Sequence, residues 1–154
     1  LNNSSGDIGG ALYTTAGANQ VVNNTLFDSH ALDPNYGAIV HLGGSAIFDN
    51  NIVAFGTGYG LRETSSCCQS ISYNNVFGSS LSSYYGTSLT GQDGNLSVDP
   101  GFALGLADGN PDNDDLSLAP GSPSADAGNP GSVYNDADGS RNDQGAYGGP
   151  AGNW

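Results

Sequence analysis

Short apolar clusters recur along the chain, each beside a pair of polar asparagines. The clearest clusters are VVNNTLF at 21–27, IFDNNIV at 47–53 and ISYNNVF at 71–77. One asparagine or aspartate of each repeat serves as a landmark, at Asn3, Asn24, Asn50, Asn74 and Asp99. These landmarks are 21, 26, 24 and 25 residues apart. A nearly constant period of this size is typical of a solenoid, in which each repeat is one unit stacked on its neighbours.

A second kind of cluster occurs once in each period. Its members are GGALY at 9–13, YGAIV at 36–40, YGLRE at 59–63 and YGTSL at 85–89. Gly, Asn, Ser and Asp bound these runs, which indicates short strands separated by turns, and no window keeps the 3.6-residue period of a helix. Two or three strands per period match one coil of a parallel β-helix. We predict an all-β solenoid of about five coils over residues 1–98, with an irregular acidic capping segment packed on it over residues 99–154.

Stacked coils place equivalent residues about 4.8 Å apart, so like side chains form ladders along the axis. An asparagine amide both donates and accepts, and asparagine tolerates a left-handed turn, so it suits the corner of a coil. We predict two structural ladders, formed by Asn24, Asn50 and Asn74 and by Tyr36, Tyr59 and Tyr85. In the alternative interpretation these side chains face outward, where they stack on sugars and bind them.

The charge balance is acidic because bases are scarce. The net charge is −13, and the chain has no Lys and only two arginines, Arg62 and Arg141. Phosphate recognition relies on clustered Lys and Arg, which argues against nucleic acid as a partner. An anionic membrane surface is disfavoured for the same reason, and no apolar run reaches transmembrane length. Divalent cations are the natural counterions.

The two cysteines, Cys67 and Cys68, are adjacent. Successive residues of a strand point to opposite faces, so two separate thiols and a vicinal disulfide both fit the pattern. The pair therefore does not define the redox compartment. The sequence opens at LNNSSGDIGG, in the middle of the repeat pattern and without a recognisable signal peptide, which indicates a processed or partial chain.

The acidic residues concentrate near the C-terminus, where nine of the fifteen lie between Asp99 and Asp143. Asp136, Asp138 and Asp143 surround Gly139 in the pattern D-x-D-G-x-x-x-D. Alternate carboxylates on a glycine-containing loop suit Ca²⁺, so we predict a calcium site here, although the spacing is not that of an EF-hand. In the alternative, these carboxylates accept backbone N–H bonds and pair with Arg141.

The same segment resembles a known family. VDPGF at 98–102, LSLAPGSPSADAG at 116–128 and YNDADGSRNDQGAYGGP at 134–150 are similar to the tail of secreted bacterial right-handed parallel β-helix proteins. Ala125 departs from that pattern, since a bulkier apolar residue is more usual there. The resemblance implies a right-handed coil, as parallel connections generally prefer, and an extracellular or cell-surface location. The architecture serves polysaccharide lyases, hydrolases and adhesins, so the resemblance does not define an activity.

A lyase of this architecture is expected, by resemblance, to remove a proton with a basic residue. The candidates are Arg62, His41 and His30. Arg62 and His41 lie in strands of neighbouring coils and Glu63 follows Arg62, but the strand register leaves their facing open. A surface ion pair beside an exposed histidine is the alternative.

A glycosidase needs two carboxylates about 5–10 Å apart across a groove. Asp28 and Asp33 flank the loop DSHALDPNYG at 28–37, which contains His30 and is the best cleft-forming insertion. Asp33 before a proline is also an ordinary start of a turn. The sequence contains no serine nucleophile elbow, zinc spacing or phosphate loop.

Solenoids protect their terminal coils, because an open coil exposes unpaired backbone groups. We predict that the tail folds across its own end, closed by Gly148, Gly149 and Trp154. The first coil has no comparable cover, which favours either adjoining coils of a longer chain or docking on another copy, and head-to-tail docking yields a filament. Sequons permit N-glycosylation in a suitable host at Asn2, Asn3, Asn23 and Asn95.

The leading functional interpretation is an extracellular, non-catalytic structural or surface module that self-associates or adjoins further coils. Two alternatives remain. The first is a fragment of a polysaccharide lyase or glycosidase. The second is a glycan-binding adhesin, which requires exposed tyrosines at Tyr36, Tyr59 or Tyr85.

Overall fold

The chain is all-β, as predicted. The computed structural model describes residues 3–5, 9–33, 35, 37–64 and 67–152. Within these residues the only helical segments are two short 3-10 turns, at Pro111–Asn113 and Ser132–Tyr134. None of the described helical segments is long and apolar enough to span a membrane.

Three parallel sheets contain most of the strands. Sheet 1 consists of β2 (Leu12–Tyr13), β6 (Ala38–Leu42), β9 (Tyr59–Glu63) and β12 (Ser82–Tyr84). Sheet 2 consists of β3 (Gln20–Val22), β7 (Ile47–Asp49) and β10 (Ser70–Ser72). Sheet 3 consists of β4 (Thr25–Phe27), β8 (Ile52–Gly56) and β11 (Asn75–Ser79). The chain passes through sheets 1, 2 and 3 in that order three times. We call each such passage, with one strand in each of the three sheets, a layer.

Parallel pairing joins successive layers about one repeat apart. In sheet 3, Leu26 pairs with Val53 and Val53 pairs with Val76. These partners are 27 and 23 residues apart, so the strands stay in register although the loops between them differ in length. A further parallel pair is formed by β1 (Ser4–Ser5) and β5 (His30–Ala31), and His30 forms a parallel bridge with Thr57.

The main core contains side chains from all three sheets. Its buried members include Val40 and Leu61 from sheet 1, Phe48 from sheet 2, and Val53 and Val76 from sheet 3. Burying one such side chain stabilises the folded state by about 1.5–3 kcal/mol relative to leaving it in water. The apolar clusters that recur in the sequence are therefore the residues that hold the layers together.

A second cluster covers the opposite face of sheet 3. Its members from the sheet are Phe27, Ile52 and Ala54, and its members from the C-terminal segment include Phe102, Leu116 and Leu118. The rings of Phe27 and Phe102 meet edge to face with centroids 5.6 Å apart. Because side chains alternate along a strand, sheet 3 has apolar residues on both faces, and the C-terminal segment buries the outer one.

The C-terminal segment runs along the side of the layers, whereas we expected it to fold across its own end. It begins with an antiparallel pair, β13 (Phe102–Leu104) and β14 (Asp115–Leu118). Three consecutive residues then contact three layers in turn. Gln144 donates to the Tyr73 carbonyl at 2.8 Å, Gly145 to the Asn50 carbonyl at 2.8 Å, and Ala146 to Thr25 Oγ1 at 3.0 Å.

The glycines that were expected to close the end lie elsewhere. Gly148 and Gly149 pack against Asn23 in the first layer. Trp154, the third predicted closing residue, lies outside the described residues. The apolar outer face of sheet 3 explains this course, because a tail folded over the end would leave that face in water.

The last repeat lacks its predicted landmark. Leu96 forms a parallel bridge with Asn75, which begins a partial fourth layer together with β12. Asp99, the predicted fifth landmark, instead accepts the backbone N–H of Gly101 at 2.9 Å in a turn. The described residues thus form three complete layers with partial layers on either side.

Candidate functional site

A continuous ladder of asparagine side chains connects the layers. Asn24 Nδ2 donates to Asn51 Oδ1 at 3.2 Å, Asn51 Nδ2 to Asn74 Oδ1 at 3.1 Å, and Asn74 Nδ2 to Asn95 Oδ1 at 3.0 Å. The backbone N–H of each donor residue points to the same oxygen, at 2.9–3.0 Å. Each amide therefore binds the next layer through two hydrogen bonds.

Asn50 is not part of this ladder, and the prediction that placed it there is wrong. The position before each ladder residue adopts a left-handed backbone, with φ of 54° at Asn23, 60° at Asn50 and 55° at Tyr73. In the second layer the first asparagine of the pair makes this turn, and Asn51 enters the ladder. In the third layer Tyr73 makes the turn, so the first asparagine of the pair, Asn74, enters the ladder. The sequence offered only one sign of this shift, namely the tolerance of asparagine for left-handed turns.

The tyrosines do not form a ladder of equivalent positions. The rings of Tyr59 and Tyr85 contact each other edge to face, with centroids 5.0 Å apart. In the sheet register, however, Tyr59 lies opposite Ala38 and Ser82, and Tyr85 follows the end of β12. Both side chains are half-buried. Tyr36, the third predicted member, lies outside the described residues.

A row of aromatic and basic side chains crosses sheet 1. Tyr13 lies opposite His41 and His41 lies opposite Arg62, so the register places these candidates side by side. The Tyr13 and His41 rings are 4.9 Å apart, and Arg62 Cζ lies 4.6 Å from the centroid of the Tyr85 ring. We call these four residues the sheet 1 row. Tyr13, which the sequence analysis did not single out, is 50% exposed.

His41 is unsuited to touch a substrate. It is 3% exposed, and burial together with the charge of Arg62 lowers its pKa, so the ring is neutral at pH 7. Its Nδ1 is buried without a hydrogen-bond partner among the described residues. A neutral imidazole can accept a proton, but a base must reach the hydrogen that it removes. The row is therefore better suited to contact a ligand than to abstract a proton from one.

The loop at 28–37 brings Asp28 and His30 together. His30 Nε2 lies 3.4 Å from Asp28 Oδ1, and His30 Nδ1 lies 3.0 Å from Thr57 Oγ1. Asp33 instead begins a turn, in which its side chain accepts the N–H of Asn35 at 2.8 Å and its carbonyl accepts that of Gly37 at 3.0 Å. Thr57 was missed by the sequence analysis, because only the bridge between β5 and residue 57 places it beside His30.

The three predicted calcium ligands accept hydrogen bonds from the chain itself. Asp136 accepts the N–H groups of Asp143 and Gly149, and Asp143 accepts that of Asp126 at 2.7 Å. Asp138 accepts the N–H of Ser140 at 2.9 Å and its hydroxyl at 2.5 Å. Within the described residues no group of three or more His, Cys, Asp or Glu is placed to hold a metal ion. Calcium binding stays a prediction.

These carboxyls have pKa values shifted in opposite directions. Burial, and then the charges of neighbouring aspartates, raise the pKa of Asp136 and of Asp143. The hydrogen bonds from Ser140 lower the pKa of the exposed Asp138. The loop therefore holds two carboxylates that are disfavoured in their charged form.

Arg141 does not compensate this charge. Its Nε donates to the carbonyl of Gly128 at 2.8 Å and its Nη2 to that of Ala127 at 3.4 Å. It forms no ion pair within the part of the chain that the structure describes. The alternative interpretation of this loop is therefore confirmed in its backbone N–H bonds and wrong in its pairing with Arg141.

Cys67 and Cys68 form a vicinal disulfide, one of the two states that the sequence left open. Both residues pack against the main core. They also line a groove of about 510 Å³ beside β10, with Tyr73 and Leu89 among the other lining residues. The described lining includes the carboxylates of Glu63 and Asp93 and no basic side chain.

The predicted glycosylation sites differ in accessibility. Asn95 is 1% exposed and its amide is fully engaged in the ladder, so the folded chain cannot carry a glycan there. Asn23 is half-buried and donates to the carbonyls of Asp143 and Gly145. Asn3 is exposed, and Asn2 lies outside the described residues.

No family model, curated protein or solved structure matches the chain. Its function is therefore inferred from the geometry of its own residues.

Proposed function

We propose that the three sheets are the faces of a right-handed parallel β-helix, and that the chain is a structural or surface module of the secreted bacterial type that its C-terminal signature resembles. Two features support the fold proposal. Successive layers pair in parallel in all three sheets, and one asparagine ladder runs through four layers. The Cys67–Cys68 disulfide supports an extracellular or cell-surface location, since disulfides persist in oxidising compartments.

The observation that carries the structural role is the open end of the ladder. In each inner layer, the ladder oxygen accepts two hydrogen bonds from the layer before it. Asn24 is exposed, and its Oδ1 accepts no hydrogen bond from the described residues. At the other end, Asn95 donates its N–H and its amide to the carbonyls of Gln92 and Ile71. Among the described residues, the ladder is thus closed at Asn95 and open at Asn24.

This polarity favours a module that takes a further layer on its Asn24 side. The layer would come from a second copy or from adjoining coils of a longer polypeptide. Because Asn95 has already used its donors, a filament needs other contacts at that end. The open acceptor, Asn24 Oδ1, would then bind a donor of the added layer, much as an unpaired strand edge tends to recruit another strand.

Sedimentation and electron microscopy of the isolated chain test this role. Concentration-dependent association, weakened by Asn24→Leu and unchanged by Asn113→Leu at an exposed asparagine of the 3-10 turn Pro111–Asn113, supports docking through the ladder end. Monomers at every concentration would exclude self-association. Filaments that Asn24→Leu leaves intact would place the contact elsewhere.

Glycan binding by the sheet 1 row is a second candidate function. Exposed Tyr13 and the Tyr85 ring under Arg62 present apolar ring faces beside a donor that is always charged. A sugar ring offers an apolar face and hydroxyl acceptors of the same kind. Titration calorimetry with neutral and acidic oligosaccharides tests it. We expect Tyr13→Ala and Arg62→Ala to weaken binding at least about tenfold, whereas Tyr134→Ala in the C-terminal segment leaves it unchanged.

Calcium binding at Asp136, Asp138 and Asp143 is also proposed, on the basis of their spacing and of the mutual repulsion that helps to raise the pKa of Asp136 and Asp143. The backbone N–H groups that now occupy these carboxylates leave their remaining lone pairs for a cation. Its test is given in the Discussion.

A further inference from the structure

Asp28, His30 and Thr57 place a carboxylate and a hydroxyl on the two nitrogens of one imidazole. Asp28 Oδ1 lies 3.4 Å from His30 Nε2, and His30 Nδ1 lies 3.0 Å from Thr57 Oγ1. Strand pairing brings these groups together. Asp28 directly follows β4, His30 begins β5, and Thr57 forms the parallel bridge with His30.

The position of the acid favours one tautomer of the imidazole. A carboxylate attracts an N–H rather than a nitrogen lone pair, so Asp28, 3.4 Å from Nε2, favours the proton of His30 on Nε2 and leaves Nδ1 as an acceptor. In this tautomer Thr57 Oγ1 donates its proton to Nδ1. This is the arrangement in which an imidazole can deprotonate a hydroxyl while its other nitrogen is held by an acid.

The C-terminal segment holds the acid in place. The backbone N–H of Gly109 donates to Asp28 Oδ2 at 2.9 Å, so the second carboxylate oxygen is occupied and the first remains directed at the imidazole. The Asp28 side chain is 9% exposed, whereas that of His30 is 31% exposed. The acid is thus shielded from water, and the base is open to it.

Thr57 also lines a small, mostly apolar pocket. This pocket has a volume of about 250 Å³, and its other walls include Ala31, Leu32, Leu81 and Ser80. Leu32 and Leu81 are 56% and 51% exposed, so the pocket opens to solvent. The Ser80 hydroxyl accepts the N–H of Gly58 at 3.0 Å and keeps its own proton to donate. Thr57 therefore lies beside an apolar pocket that is large enough for a short acyl group.

We propose that this site hydrolyses esters of short carboxylic acids. Thr57 Oγ1 attacks the carbonyl carbon while His30 Nδ1 takes its proton. The intermediate collapses with transfer of that proton to the leaving alcohol, which leaves an acyl group on Thr57. Water then attacks the acyl carbon, His30 again accepts and returns the proton, and the carboxylic acid is released. Asp28 is the positioning residue for the imidazole, and Ser80 is the donor to the oxyanion.

The pocket size sets the substrate class. About 250 Å³ accommodates an acetyl or butyryl group but not a long acyl chain. This activity goes beyond the structural role proposed above and does not depend on it, because neither the ladder nor the sheet 1 row contributes a residue to it.

Hydrolysis of p-nitrophenyl acetate, butyrate and decanoate by the purified chain tests the proposal. We expect turnover of the acetate and butyrate above spontaneous hydrolysis, and little of the decanoate. Thr57→Val and His30→Gln should lower kcat/KM at least about 100-fold. Thr57→Ser should retain activity, and Thr15→Val, at an exposed threonine outside the site, should match the unchanged chain.

The role of Asp28 has its own readout. Asp28→Asn allows an amide donor to face Nε2, which reverses the tautomer and removes the acceptor at Nδ1. We therefore expect kcat to fall while KM and the melting temperature stay the same. A fall in melting temperature with an unchanged kcat would instead assign Asp28 a structural role alone.

Quenched reactions provide a measurement that does not require a folded variant. Peptide mapping of the unchanged chain after p-nitrophenyl acetate treatment should find one acetyl group on Thr57. No turnover above background overturns the proposal, and so does turnover that survives Thr57→Val. Acetylation confined to other hydroxyls overturns it as well.

Discussion

Asn23 and Asn142 exchange side-chain hydrogen bonds across 119 residues of sequence. Asn23 Nδ2 donates to Asn142 Oδ1 at 3.0 Å, and Asn142 Nδ2 donates back to Asn23 Oδ1 at 3.4 Å. Asn142 is fully buried and also donates to the carbonyl of Tyr134 at 2.6 Å. The pair attaches the C-terminal segment to the first layer, in addition to the apolar contact of that segment with sheet 3.

Replacing Asn142 should loosen this attachment. Asn142→Ala leaves buried partners without hydrogen bonds, so we expect a loss of about 1–3 kcal/mol in the free energy of unfolding. Urea denaturation measures it. Asn135→Ala is the matched control, since the side chain of Asn135 donates only to the Gly139 carbonyl within its own loop and its loss should cost less. Equal losses for both variants would mean that the long-range pair adds no more to the free energy of unfolding than a hydrogen bond within one loop.

The asparagine ladder should be strongest in its middle. Asn51 and Asn74 are fully buried and each bonds to the layers on both sides, whereas Asn24 is exposed at the open end. We expect Asn51→Ala to destabilise the chain by about 2–4 kcal/mol and Asn24→Ala by less than about 1 kcal/mol. Thermal melts of the two variants test this order. A larger effect at Asn24 would contradict a ladder that holds the layers together.

The acidic loop should respond to pH and to calcium. Because burial raises the pKa of Asp143 above its ordinary value of 3.8, the folded state binds this proton more tightly than the unfolded state. Its contribution therefore favours folding below about pH 3.8 and is lost as the pH rises through the folded pKa. At pH 7, Asp143→Asn removes a disfavoured charge and keeps an oxygen for the N–H of Asp126. We expect the melting temperature to rise by about 2 °C in chelator.

Asp138 provides the opposite case. Hydrogen bonds from Ser140 lower its pKa, so its contribution is present above the unfolded pKa of 3.8 and is lost as the pH falls through the folded pKa. Asp138→Asn should therefore not stabilise the chain at pH 7.

If calcium binds the loop that contains Asp138 and Asp143, adding it should raise the melting temperature of the unchanged chain and not that of Asp143→Asn. Equal calcium effects on both would place the ion elsewhere.

Phe27 is a fully buried member of the second apolar cluster, between sheet 3 and the C-terminal segment. Its ring is fully buried between those of Phe55 and Phe102. Phe27→Ala should cost about 3–5 kcal/mol, because it opens a cavity under the tail. Leu104→Ala, in β13 beside Phe102 but at a 48% exposed position, should stay within about 0.5 kcal/mol. Hydrogen exchange should then show earlier opening of residues 102–118 in the Phe27 variant only.

The cysteines should be unreactive until reduced. The native chain has its only two cysteines in one disulfide, so we expect no reaction with a thiol-alkylating reagent under denaturing conditions. After reduction both should be alkylated, which intact mass measures. Alkylation without reduction would show free thiols.

The prediction from the sequence was best where local chemistry decided the outcome. The apolar clusters did form strands, and two of three predicted ladder residues, Asn24 and Asn74, do bond along the stack. The one-residue error at Asn50 arose because either asparagine of a pair can make the turn, and only the strand register selects one. The same register placed His41 beside Arg62, which the sequence left open.

Long-range contacts decided the rest. The sequence by itself determined the all-β character, the repeat and the acidic tail, because period, turn residues and charge are local properties of the chain. It did not determine where the tail lies, since that depends on the apolar outer face of sheet 3 formed by Phe27, Ile52 and Ala54. Nor did it join Thr57 to His30, because a contact between residues 27 positions apart follows from the stacking of layers.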